Sequence, residues 1–86
     1  MTAKQLLSHG DKYPYDAPDI WRDQLNPEPI PAEDWAHRAA RGVLVDLTDR
    51  RGIKNGFDDV DEDVRKDIVN SLASIIREAE RAKNAD

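Results

Sequence analysis

All five prolines of the chain, Pro14, Pro18, Pro27, Pro29 and Pro31, fall in its first part, and none follows Pro31. Proline fixes φ, removes a backbone donor and biases the preceding residue toward extended geometry, so YPYDAPDIWRDQLNPEPIP cannot be one continuous helix. The chain of 86 residues therefore reads as one domain in two parts, an arm over residues 1–31 and a proline-free part over residues 32–86. The arm is expected to carry one short helix, from Pro18 to Leu25, with a further helical turn over Ala3 to Ser8. Its apolar residues, Tyr13, Tyr15, Ile20, Trp21, Leu25 and Ile30, are too frequent for a solvated linker, which implies that the arm packs on something.

Past Pro31 the apolar residues take up helical spacing. Ala36, Ala39, Ala40, Val43, Leu44 and Leu47 recur at i, i+3, i+4, i+7, i+8 and i+11, which predicts an amphipathic helix from about Ala32 to Arg50. Pro31 suits its first turn, and Glu33 with Asp34 places negative charge at the positive end of the helix dipole. Gly42 costs roughly 1 kcal/mol against alanine in a helix interior, so its place beside Ala39 and Ala40 points to the close approach of another backbone. A second helix is expected from about Glu62 to Lys83, with Val64, Ile68, Leu72, Ile75 and Ala79 as its stripe and Val69 and Ile76 widening it. Asp58, Asp59 and Asp61 are candidate N-caps, while Arg77, Arg81 and Lys83 occupy the end where positive charge is favoured.

Between these helices a basic knot, DRRGIK, stands beside a run of acids. Both halves of the contrast have a local cause, because Arg50 and Arg51 fall in the last turn of one helix and Asp58 to Asp63 at the start of the next. Gly52 in a left-handed conformation would end the first helix and fold Ile53 back toward Leu47 and Thr48. Asn55-Gly56 supplies a turn, and Ile53, Phe57 and Val60 are plugs for the space between the helices.

Apolar residues make up 38% of the chain and charged residues 36%, so the core is lean for a chain that buries only about 60% of its unfolded surface. The formal net charge of -5 opposes general attraction to nucleic acid or anionic lipid. Absence of cysteine excludes a disulfide, a thiolate zinc site and a cysteine nucleophile. The opening MTAKQLLSHGD lacks the apolar run of a secretory signal, and no stretch approaches the roughly 20 apolar residues of a membrane span. A cytoplasmic location without membrane attachment is the expectation.

No constellation of catalytic residues emerges. Asp59, Asp61 and Asp63 have the alternation that opens a calcium loop, but Val64 and Asn70 stand where that loop needs glycine and glutamate. Asp46 and Asp49 on one helix with Glu62, Asp63 and Asp67 on the next sketch the carboxylates of a magnesium-dependent all-α nucleotide hydrolase. Its paired-glutamate signature is missing, and Asp46 can pair with Arg50. His9 and His37 have no companion at ligand spacing, and Glu33, His37 and Arg41 read as a solvated ionic row. Ser8, Ser71 and Ser74 lack the context of a nucleophile. Arg50, Arg51 and Lys54, with Arg38 and Arg41, form the one candidate basic patch for nucleic acid, and the acids around it weaken that alternative.

Two helices paired in an antiparallel hairpin cannot seal their own apolar stripes. Either the arm folds over them as a third layer, or two hairpins pair into a dimeric four-helix bundle, and the two arrangements are compatible. Tyr13, Tyr15, Trp21 and Trp35 are the aromatic anchors expected at a protein interface.

The segment EDWAHRAARGVLVDLTDRRGIKNGFDDVDEDVRKDIVNSLASIIREA, roughly the last two thirds of the chain, resembles a set of small uncharacterised bacteriophage and prophage proteins. The tryptophan-led alanine-rich helix, the DLTDRRGIK turn and the DVDEDVRKDIV helix start carry the resemblance. It implies a phage-encoded cytoplasmic accessory protein of a bacterial host, and it brings no catalytic residue with it. The sequence thus predicts an all-α, dimeric, non-catalytic protein that needs no cofactor or metal. It would act by protein-protein interaction, with itself or by inhibiting or modulating a host or phage protein.

Overall fold

The computed structural model describes residues 1–84, and every regular element among them is helical. The helices are α1 (Ala3–Lys12), α2 (Asp19–Arg22), α3 (Trp35–Thr48), α4 (Lys54–Asp58) and α5 (Glu62–Asn84). Helix α3 is the middle of the fold, with α1 against one side and α5 against the other. Asp34, just ahead of α3, binds Arg77 late in α5, so the two long helices run antiparallel.

Helix α1 is longer than the single turn expected from the sequence. Its start is fixed by a reciprocal cap, in which the Gln5 N–H donates to Thr2 Oγ1 at 3.2 Å and the Thr2 N–H donates to Gln5 Oε1 at 2.8 Å. Its far end is held by contact with α3 across two glycines. A Cβ on Gly10 would stand 3.1 Å from the Arg41 carbonyl carbon and 3.2 Å from the Gly42 nitrogen, and one on Gly42 would meet Leu7 at 3.2 Å. The backbone approach anticipated at Gly42 is therefore made by α1.

The second helix of the arm is shorter than the expected Pro18 to Leu25 and covers only Asp19–Arg22. Pro18 has no capping side chain, and the first turn of α5 supplies one instead: Glu62 Oε1 accepts the Asp19 N–H at 2.7 Å. That bond first, and Lys66 second, hold the Glu62 carboxyl below its ordinary pKa.

Helix α3 starts later than Pro31 suggested, because Asp34 is its N-cap and accepts the His37 N–H at 2.8 Å. Ala36, Ala40, Leu44 and Val45 are its buried apolar residues, whereas Val43 is 42% exposed. On α5 the buried line is Arg65, Val69 and Ala73, one residue later than the stripe Val64, Ile68, Leu72 and Ile75 that periodicity picked out. Ala40, Leu44, Val69 and Ala73 form the core, with Tyr15, Phe57, Ile68, Leu72 and Ile76 packed around it.

The connection from α3 to α5 departs from the expected helix stop. Helix α3 ends at Thr48, whose hydroxyl donates back to the Leu44 carbonyl at 2.7 Å, and Gly52 lies beyond it in a turn where the Ile53 N–H meets the Arg50 carbonyl at 3.3 Å. Gly52 does take the left-handed conformation, with φ at +83°. Ile53, with its N–H on the Arg50 carbonyl, leads into α4, which absorbs Asn55-Gly56 as helix rather than turn. Hydrogen bonds along α4 outweigh the turn preference of that dipeptide, and Phe57 on the same helix gains a place beside the core.

A Cβ on Gly52 would meet nothing within 4 Å, so substitution there tests chiefly the backbone conformation. Gly52→Val should lower stability by about 1–2 kcal/mol, while Arg51→Ala should change it little. Thermal melts showing the reverse ranking would contradict this account of the turn.

Candidate interaction surface

The arm from Tyr13 to Pro31 has little secondary structure of its own, so its carbonyl groups need donors from elsewhere. Two buried arginines provide them. Arg65 on α5 donates to the Tyr15 carbonyl at 3.0 Å, the Ala17 carbonyl at 2.9 Å, the Val60 carbonyl at 2.8 Å and Asp19 Oδ1 at 2.7 Å. Arg41 on α3 donates to the Ile30 carbonyl at 2.8 Å and to Asp16 through Nε at 2.8 Å and Nη2 at 3.3 Å. A planar guanidinium can bridge acceptors in this way where an ammonium cannot.

His37 completes the cluster. Its Nδ1 accepts the Glu33 N–H at 2.9 Å, so the proton of the neutral ring stands on Nε2, which donates to Asp16 Oδ2 at 2.8 Å. Burial is the largest single influence on the Asp16 carboxyl and opposes its ionisation. The hydrogen bonds from Arg41 and His37, with the charge of Arg41, together outweigh it and leave the pKa lowered. Glu33, His37 and Arg41 are therefore not the solvated row that helical spacing suggested: His37 is 5% and Arg41 2% exposed, because the arm lies over them.

The four aromatic candidates do not gather into one anchor. Tyr13, Tyr15 and Trp21 line a cavity of about 250 Å³ with His9, Pro14 and Val45, while Trp35 stands apart at the start of α3. Tyr15 acts internally, its hydroxyl donating to the Phe57 carbonyl at 2.8 Å and its ring meeting Phe57 edge-on. Burial raises its phenol above the ordinary pKa, against the nearby charges of Arg65 and Arg22. Trp21 Nε1 closes the proline-rich loop by donating to the Glu28 carbonyl at 2.6 Å. Tyr13 and Trp35 keep more than half their surface open.

The candidate basic patch is exposed but divided. Arg50 is tied to Asp46 at 2.9 Å, a bond that raises its pKa, so Arg51 and Lys54 are left to present charge beside Asp49, Asp58 and Asp59. The carboxylates considered for a metal are likewise separated by their own partners, Asp46 on Arg50 and Glu62 on Lys66. Among the described residues, no group of three or more histidine or carboxylate side chains is placed to hold a metal ion, and no helix is long and apolar enough to cross a membrane.

A different surface emerges from the burial pattern, and periodicity alone missed its place. On both long helices, residues one position after the buried line face the arm or α1: Arg41 and Val45 after Ala40 and Leu44, and Lys66 and Asn70 after Arg65 and Val69. Residues one position before it face the opposite way. Because the helices are antiparallel, the same rotational offset brings both sets to one side of the layer. Helical spacing assigns to that side Ala39, Val43 and Leu47 from α3 and Val64, Ile68, Leu72, Ile75 and Ala79 from α5, of which Ile68 and Leu72 also pack against the core. Val43, Val64 and Ile75 are 42%, 49% and 64% exposed on it.

Comparison with protein-family models, with curated proteins and with solved structures finds no match.

The joint between α3 and α5 rests on Asp34, whose carboxylate both caps α3 and accepts two bonds from Arg77 at 2.6 and 3.0 Å. Arg77, followed by the His37 N–H, lowers the Asp34 pKa from 3.8 to about 2. A carboxyl depressed in the folded state contributes stability above its unfolded pKa and loses that contribution as pH falls through the folded value. The stability difference between wild type and Asp34→Asn should therefore be steady at neutral pH and shrink between pH 3.8 and about 2, followed by urea unfolding across an acid series. A difference that holds constant through that window would contradict the role given to the ionised group.

Proposed function

We infer that the protein is a non-catalytic, phage-type accessory protein that works by protein-protein interaction through the open face of α3 and α5. The single observation that carries this reading is the apolar side of the helix layer, where Val43, Val64 and Ile75 remain exposed although the arm has already covered the opposite side. The arm is thus spent on one side only. A second helical layer on the open side would complete a four-helix arrangement, either a dimeric bundle of two such helix pairs or a complex with a host or phage protein. A lean core makes such a face costly to leave in water, and exposed apolar residues grouped on one side are what a binding patch requires. The resemblance of Glu33 to Ala79 to small phage and prophage proteins supports an accessory role in a bacterial cytoplasm.

The test uses a trace of fluorescently labelled protein, too dilute to self-associate, sedimented in concentrated bacterial extract. Wild type should sediment faster than a 9.8 kDa chain, and Ile75→Glu should return it to the monomer position with its helical circular dichroism retained. Identical sedimentation of the two proteins would count against the face as a site for binding other proteins.

A further inference from the structure

We propose that the open face is occupied by a second copy of this chain, with α5 packed antiparallel against α5 of the other copy about a twofold axis at the Ser71–Leu72 step. The inference rests on the interaction reading above and names its occupant.

Four of the five residues of the α5 stripe are placed symmetrically about that step, and the fifth, Leu72, falls opposite Ser71. Val64 stands as far before it as Ala79 stands after it, and Ile68 as far before it as Ile75 after it. An antiparallel pair related by a twofold axis requires this property, since each side chain must meet its counterpart from the opposite end. Ile68 then packs on Ile75 of the second copy, Ile75 on its Ile68, and Val64 on its Ala79. Ser71 beside the axis is small enough to let the helices approach.

Charge runs the same way. The first turn of α5 is acidic, with Glu62 and Asp63, and its last turn is basic, with Arg81 and Lys83. Antiparallel pairing in this register sets Glu62 against Arg81 of the other copy, with Asp63 opposite Glu80, and aligns the helix dipoles head to tail. A parallel pair would oppose like ends.

Size is sufficient. From Val64 to Ala79 the helix rises about 22 Å, and with α3 alongside at about 9 Å the two faces together bury on the order of 1,000 Å². That meets the lower bound for a specific interface. Ala39, Val43 and Leu47 of α3 flank the α5 contact and widen it.

The chain has no cysteine, so introduced thiols report contacts cleanly. Size-exclusion chromatography with light scattering should give a dimer that dissociates on dilution, and Ile75→Glu should give a monomer of unchanged helicity. Under mild oxidation Ser71→Cys should form a covalent dimer. Ser74→Cys, on the far side of α5, should not. A wild-type monomer at all concentrations would overturn the proposal, as would a dimer that survives Ile75→Glu or one that cross-links at Ser74 and not at Ser71. The extract experiment separates the two levels. A purified monomer with an extract complex sensitive to Ile75→Glu sinks only the second copy, and loss of both sinks the face itself.

Discussion

Everything in this fold depends on two arginines standing where helical periodicity would place apolar residues. Arg41 and Arg65 lie on the faces of α3 and α5 beneath the arm, and between them they take up four arm or turn carbonyls and the carboxylates of Asp16 and Asp19. An arm punctuated by prolines cannot satisfy its own backbone, and burying it without donors would leave each carbonyl at a cost of roughly 1–3 kcal/mol. The guanidinium forks remove that cost and so permit a small chain to use its arm as a layer. The apolar contacts of Tyr15, Ala17 and Pro14 follow from the position the arginines impose.

Covering one side of the layer has a consequence for the other. With the phase of both helices set by the residues that face the arm, Val64 and Ile75 are left about half in water, while Ile68 and Leu72 of the same stripe still pack on the edge of the core. The polar interactions that close the molecule on one side thus expose its strongest apolar pattern on the opposite side. Structure and proposed interaction are linked at this point: the same arginines that seal the arm determine which residues are offered to a partner.

Much of the helical content was legible in the sequence. The spacing of Ala36, Ala40 and Leu44 and the acidic start and basic end of α5 gave both long helices, and Gly42 beside two alanines signalled a close backbone crossing. The phase of α5 was not legible, because Arg65 counts as polar in any periodicity and yet is 3% exposed. Helical spacing puts His37 and Arg41 on the surface for the same reason, since Glu33 offers an easy local partner while the true partner, Asp16, is distant in sequence. Helix α1 carries only Ala3, Leu6 and Leu7 as apolar residues, and its place comes from the glycine contact, which leaves no periodic trace. One signal was available: arginines in register with small apolar residues on both helices, facing a proline-rich arm short of donors.

The most direct measurement is hydrogen exchange, residue by residue, in Arg65→Lys compared with wild type. A lysine keeps the charge but cannot fork to the Tyr15, Ala17 and Val60 carbonyls. If the arm is held by these bonds, its amides from Tyr15 to Arg22 should lose protection more than those at the centre of α3. Arm amides that keep wild-type protection in this variant would contradict the account and assign the arm's position to its apolar side chains instead.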